Sequence, residues 1–115
     1  MEVKQRSYVY ALEIIKFIDS LDRKDLASQI ISRQLLRSAT SIGANIAKAQ
    51  AGSSKKDFTN FFNHSLKSAN ESIFWLNLLK DSKKSEADKT NCLLKETKEI
   101  ANILGSSVLT LKNKK

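Results

Sequence analysis

The stretch QLLRSATSIGANIAKA, running from Gln34 to Ala49, decides the fold. Its apolar residues Leu35, Ala39, Ile42, Ile46 and Ala49 recur at alternating spacings of four and three. That rhythm lines one face of an α-helix, whereas a half-buried strand needs a spacing of two. Leu26 and Ile30 extend the pattern upstream, so a helix is expected over 25–50, with all of these residues on its core face. At 1.5 Å per residue it spans roughly 35–40 Å. Gly43 lies inside it and weakens it by about 1 kcal/mol relative to alanine. Gly52 is placed to end it in a left-handed C-terminal conformation.

The same rhythm continues on both sides. Val3, Tyr8, Leu12, Ile15, Ile18 and Leu21 predict a first helix over 3–21 with these side chains inward. Ser53 and Ser54 offer N-caps after Gly52, and Ser54-Lys-Lys-Asp57 is a capping-box variant. A third helix is expected over 55–80 on the stripe Phe58, Phe62, Leu66, Ala69, Ile73, Leu76 and Leu79. A fourth is expected over 86–111 on Leu93, Ile100, Ile103, Leu104, Val108 and Leu111. Four amphipathic helices with short connections predict an all-α fold, an antiparallel up-down-up-down four-helix bundle in one domain over 1–115.

Composition agrees. Prolines are absent and there are three glycines, too few for the many tight turns of a β-sandwich or barrel. A chain of 115 residues buries enough surface to need no disulfide or metal. Cys92, the single cysteine, reads as a small, partly buried hydrophobe, and His64 as a surface or boundary residue. The first residues carry no apolar signal core, and no apolar run is long enough to cross a membrane. A cytoplasmic location is the expectation.

Phe61, Phe74, Trp75 and Leu78 widen the apolar stripe of the third helix beyond a single seam. Either they fill a broad core position or they form a subunit interface. A second feature is polar. Asn45 falls among Ile42, Ala44 and Ile46, and Glu71 between Ala69 and Ile73, with Ser41, Ser68 and Ser72 as candidate neighbours. A buried hydrogen-bond network linking Asn45 to Glu71 and setting helix register is expected. An enzymatic site is not. No Gly-rich phosphate loop, nucleophile motif or Glu-x-x-His pair occurs, so no catalytic residue, metal, cofactor or small-molecule substrate is expected.

Charge is more informative. The net charge is +8, yet no acid occurs between Asp25 and Asp57. That interval carries Arg33, Arg37, Lys48, Lys55 and Lys56, and a further basic group ends the chain at Lys112, Lys114 and Lys115. Arg33 and Arg37 are four apart and share one helix face. Lys55 and Lys56 sit where the helix macrodipole is already positive. The functional reading is nucleic-acid binding through phosphates, without base readout. The other reading is a solvated basic face, incidental to a structural or adaptor module whose partner is a protein.

Gln34–Ala49 also resembles the four helix bundle protein family, or 23S-rRNA intervening-sequence protein family. That family reads Leu-Arg-Arg-Ala-x-x-Ser-Ile-x-x-Asn-Ile-Ala-Glu-Gly over this stretch. A basic stretch, an aromatic pair and a Ser-x-x-Glu follow, matched here by Lys55-Lys-Asp-Phe58, Phe61-Phe62 and Ser68-Ala-Asn-Glu71. Lys48 stands where the family usually has glutamate, Ala49 where it has glycine, and Gly43 where proline is frequent. The resemblance covers nearly the whole chain. It implies a protein encoded within or outside ribosomal RNA intervening sequences. The accessory variability determinant proteins of diversity-generating retroelements look similar. They form homopentamers that bind a reverse transcriptase and nucleic acid. The resemblance therefore implies a homo-oligomer, pentameric by analogy, with RNA or a reverse transcriptase as partner.

Overall fold

The computed structural model describes residues 1–52 and 54–113. Ser53, one of the two expected caps, and Lys114 and Lys115 lie outside the described residues. Four helices follow one another: α1 (Val3–Asp19), α2 (Leu26–Ala51), α3 (Lys55–Asp81) and α4 (Ala87–Asn113). No strand occurs among the described residues.

Local chemistry sets the helix ends. Asp25 caps α2 by accepting from the Ser28 amide at 2.9 Å. Lys84 Nζ donates to the same carboxylate at 2.9 Å, tying the α3–α4 connection to the start of α2. Lys84, and after it Ser28, hold the Asp25 carboxyl down at about 2. Ser54 caps α3 by accepting from the Asp57 amide at 3.1 Å. At the end of α3 the Lys84 amide returns to the Leu79 carbonyl and the Lys83 amide to that of Lys80. This ending passes through Lys83 at φ 61°, a left-handed position usually held by glycine.

The helices form a bundle measuring about 50 × 22 × 20 Å. α2 lies against α1 and α3, and α4 against α3 and α1, so the four helix backbones form a square. Between α2 and α3, Ser38 bonds Ser72 at 2.8 Å and Ser65 donates to the Ile42 carbonyl at 2.7 Å. Rising numbers on α2 meet falling numbers on α3, which is an antiparallel register. Small buried residues, Ser38, Ala39, Ser65, Ala69 and Ser72, let these two helices approach closely. Between α1 and α2 the close approach is at Gly43. A Cβ there would come to 3.1 Å from the buried Ser7 Oγ. The core proper is Tyr10, Ile14, Phe17, Leu35, Ile42, Ile46, Phe62, Leu76, Leu79, Leu94, Ile100 and Leu104. Each such side chain contributes about 1.5–3 kcal/mol by leaving water.

Several expectations require correction. The α1 face is rotated: Tyr8, Leu12 and Ile15 are 66%, 44% and 42% exposed, while Ser7, Tyr10, Ile14 and Phe17 are buried. Both sets satisfy helical spacing, and the buried set carries the aromatic that reaches furthest across the bundle. On α2, Leu26 and Ile30 are exposed, because the inward stripe continues upstream of Leu35 through the buried Ser32 and Ser28. On α4, Ile103 is also exposed, and Leu94, Thr97 and Ala101 take inward positions. Gly52 is extended, with φ −69° and ψ 150°, because the chain passes directly into the Ser54 cap. Cys92 is exposed.

Candidate nucleic-acid interface

The basic residues of α2 and early α3 separate into two groups. Arg33 and Arg37 both lie on the outer side of α2 and are exposed. Arg37 is already engaged: its guanidinium donates to Gln34 Oε1 at 3.1–3.2 Å and pairs with Glu71 on α3. Glu71 in turn accepts from Trp75 Nε1 at 2.8 Å. Arg37 is therefore a strut between α2 and α3 with its charge matched by an acid. Arg33 lines a cleft of about 390 Å³ between α1 and α2, where Asp19 and Asp22 also sit.

Lys48, Lys55 and Lys56 flank the α2–α3 junction, and all three are exposed. Arg33 and Lys48 lie fifteen residues apart on one helix, hence roughly 22 Å. The five basic residues are thus no single patch. Lys48 and Lys56 form no ion pair among the described residues.

The expected Asn45–Glu71 network does not form. Asn45 Nδ2 donates to the Ser41 carbonyl of its own helix at 2.9 Å. The antiparallel register sets Glu71 level with Arg37, eight residues from Asn45 and so roughly 12 Å along the axis. Of the proposed neighbours, Ser72 does bond across the helices, but to Ser38. The network nearest the bundle axis is elsewhere, where Tyr10 Oη meets Thr97 Oγ1 at 2.7 Å. Burial pushes the Tyr10 phenol up to about 12. A third tie went unread in the sequence. Arg6 grips both Glu96 oxygens at 2.8 Å and also pairs with Glu99, joining α1 to α4. Opposite charges at those positions were visible, but their pairing needed the helix order.

The apolar residues assigned to an interface also divide. Phe61 and Trp75 are half-buried against the core, whereas Phe74 and Leu78 are 56% and 38% exposed. Phe74 meets Trp75 edge-on, with ring centroids 5.0 Å apart. The rotation of α1 adds a second outward stripe, Tyr8, Leu12 and Ile15.

Glu13, Asp19, Glu71, Glu96 and Glu99 each face a lysine or arginine. Among the described residues no group of three or more His, Cys, Asp or Glu is placed to hold a metal. His64 is exposed. No helix among the described residues is long and apolar enough to cross a membrane.

This chain is similar to a solved structure of a protein of unknown function from the S23 ribosomal protein family of Bacteroides thetaiotaomicron VPI-5482. The two superpose with a TM-score of 0.86 at 35% identity, over 93% of this chain and 98% of the other. No curated protein matches. The sequence profile described as 23S rRNA-intervening sequence protein matches residues 1–106. With that span, the four-helix bundle and the solved relative in agreement, the chain belongs to the 23S rRNA-intervening sequence protein family.

Proposed function

We propose that this protein is a non-enzymatic, self-associating bundle that binds RNA through phosphate contacts. The observation that carries the reading is the acid-free interval from 26 to 56, which ends in exposed lysines at the α2–α3 junction. Lys48, Lys55, Lys56 and Arg33 are the phosphate contacts in this reading. Arg37 contributes less, because Glu71 already neutralises it. Neither the family nor the solved relative carries an enzymatic description.

Self-association rests on the two outward apolar stripes, Tyr8, Leu12 and Ile15 on α1 and Phe74 and Leu78 on α3. Different patches that fit each other close into a ring, and the family resemblance sets the expected number at five. The same exposed stripes also favour the second reading, an adaptor for another protein.

Titration of a labelled RNA hairpin at two salt concentrations tests the proposal. Phosphate contacts make log K fall with log salt by about 0.7–0.9 per contact. Binding that survives a salt increase unchanged, or no binding at low salt, gives the adaptor reading precedence.

A further inference from the structure

We infer that the RNA surface centres on one end of the bundle, where Lys4 and Lys112 join Lys48 and Lys56 so that all four helices contribute. The inference rests on the RNA-binding reading above and goes beyond it by assigning the surface.

The bundle folds four acid-poor segments onto the same end. α1 has no acid from Val3 to Leu12, α2 none at all, α3 none between Asp57 and Glu71, and α4 none after Glu99. The contacts place these segments together. Lys4 and Ser7 line one groove with Gly43 and Ala47, so the start of α1 lies beside the end of α2. Gly52 reaches within 3.4 Å of the Asp57 side chain when a Cβ is built on it, so the end of α2 meets the start of α3. Leu66 and Asn70 share a cleft with Ala101, Gly105 and Leu109, so late α4 packs on early α3.

The consequence is an uneven distribution of charge along the 50 Å axis. Segments 1–12, 38–70 and 100–113 hold seven Lys and Arg against two acids, Glu2 and Asp57. The remaining described segments, 13–37 and 71–99, hold eleven against ten. By these segments one half carries +5 and the other +1; Arg6 pairs across the boundary with Glu96 and Glu99, so the contrast rests on the unpaired lysines and not on Arg6. Screening length is about 8 Å at physiological salt, several-fold shorter than the bundle. Glu96 and Glu99 neutralise Arg6, and the remaining acids of the other half are too far along the axis to offset the field at this end. Lys4, Lys48, Lys56 and Lys112 are all exposed and form no ion pair among the described residues. At the opposite end lysines are paired or interleaved with acids, as in Lys84 with Asp25 and Lys89 with Glu86. Flexible ammonium groups suit phosphates as point charges, without the fixed fork that bidentate base reading uses.

The test compares two variants that lose equal charge in the full chain. One carries Lys4→Gln, Lys48→Gln, Lys56→Gln and Lys112→Gln. The other carries Lys24→Gln, Lys89→Gln, Lys95→Gln and Lys98→Gln, all exposed and all in the balanced half. Glutamine keeps helix propensity, and circular dichroism checks folding. Binding of the RNA hairpin is titrated at several salt concentrations. The first variant should lower the slope of log K against log salt by about 3, and the second should match the parent. Single variants Lys48→Gln and Lys56→Gln should each lower it by slightly under 1. Equal losses in both fourfold variants would show that only total charge matters and would overturn the assigned end while leaving RNA binding in place. A parent protein that fails to bind at low salt would overturn the RNA-binding reading itself, and this inference with it.

Discussion

Tyr10 carries its hydroxyl into the bundle interior and donates to Thr97 Oγ1, whose own proton goes to the Leu93 carbonyl. Burial raises the phenol to about 12, so the folded protein resists ionisation that the unfolded chain undergoes near 10. The stability is intact below pH 10 and is lost as pH rises from there through about 12. A gap of this size corresponds to about 2–3 kcal/mol at most. Tyr10→Phe removes the titration and leaves Thr97 its carbonyl acceptor. Urea unfolding across that alkaline window should therefore show the parent losing ground relative to Tyr10→Phe. Parallel loss in both would mean that Tyr10 is not the group responsible. Glu71 supports a second expectation at this scale. A double-mutant cycle on Asn45→Ala and Glu71→Ala should be additive within about 0.5 kcal/mol, because the two sit eight residues out of register. Arg37→Ala with Glu71→Ala should couple. Trp75, the single tryptophan, donates to Glu71 and reports the break as a change in fluorescence. Coupling between Asn45 and Glu71 would show that the register of α2 on α3 is wrong.

At the scale of elements, α1 shows where helical spacing stops deciding. Tyr8, Leu12 and Ile15 form one good stripe, and Tyr10, Ile14 and Phe17 another. A helix apolar over so wide an arc can bury either side, and the choice falls to its neighbours. Gly43 matches the face that is buried: without a side chain there, α1 approaches α2 at Ser7, on the same side as Tyr10 and Ile14. Adjacent isoleucines give a direct check. Ile14→Ala should cost about 2–5 kcal/mol, while Ile15→Ala should stay within about 0.5 kcal/mol in dilute urea unfolding. Phe62, 6% exposed and stacked on Phe58, should cost about 3–5 kcal/mol on truncation. The α2, α3 and α4 elements were readable almost to their limits, since caps and breakers act locally: Ser54 caps as its spacing to Asp57 indicates. Gly52 was misread because a glycine after a helix allows several endings, and the nearby cap selected an extended one. The candidate site was less readable than the fold. The acid-free interval was plain in the sequence, but which cations remain unpaired depends on pairings between distant helices, such as Arg37 with Glu71.

At the scale of the whole molecule, the apolar surface and the charged surface make separate demands. Phe74 and Leu78 on α3 and Tyr8, Leu12 and Ile15 on α1 lie on different sides of the protomer, and a 12.9 kDa monomer would leave both wet. Joining one patch to the other between successive copies buries both, and repetition of that step closes a ring when the rotation permits. The basic end lies at the tip of each bundle, so a ring would gather the tips around one axis. A protomer with four unpaired lysines binds a polyanion weakly at physiological salt, since screening limits each contact. Linked copies bind as one ligand with high effective concentration, and affinity rises by orders of magnitude without any new contact. Assembly should therefore precede RNA binding. Phe74→Glu is the suitable probe. Phe74 projects outward, whereas Trp75 donates to Glu71 and its replacement would disturb the protomer itself. Light scattering after size exclusion should give a multiple of 12.9 kDa for the parent and a single protomer for Phe74→Glu, with unchanged helical circular dichroism. RNA affinity of that variant should fall by at least about a hundredfold at physiological salt. A parent of protomer mass at micromolar concentration would sink the assembly. A folded monomeric variant that keeps full RNA affinity would leave the assembly standing and break its link to binding.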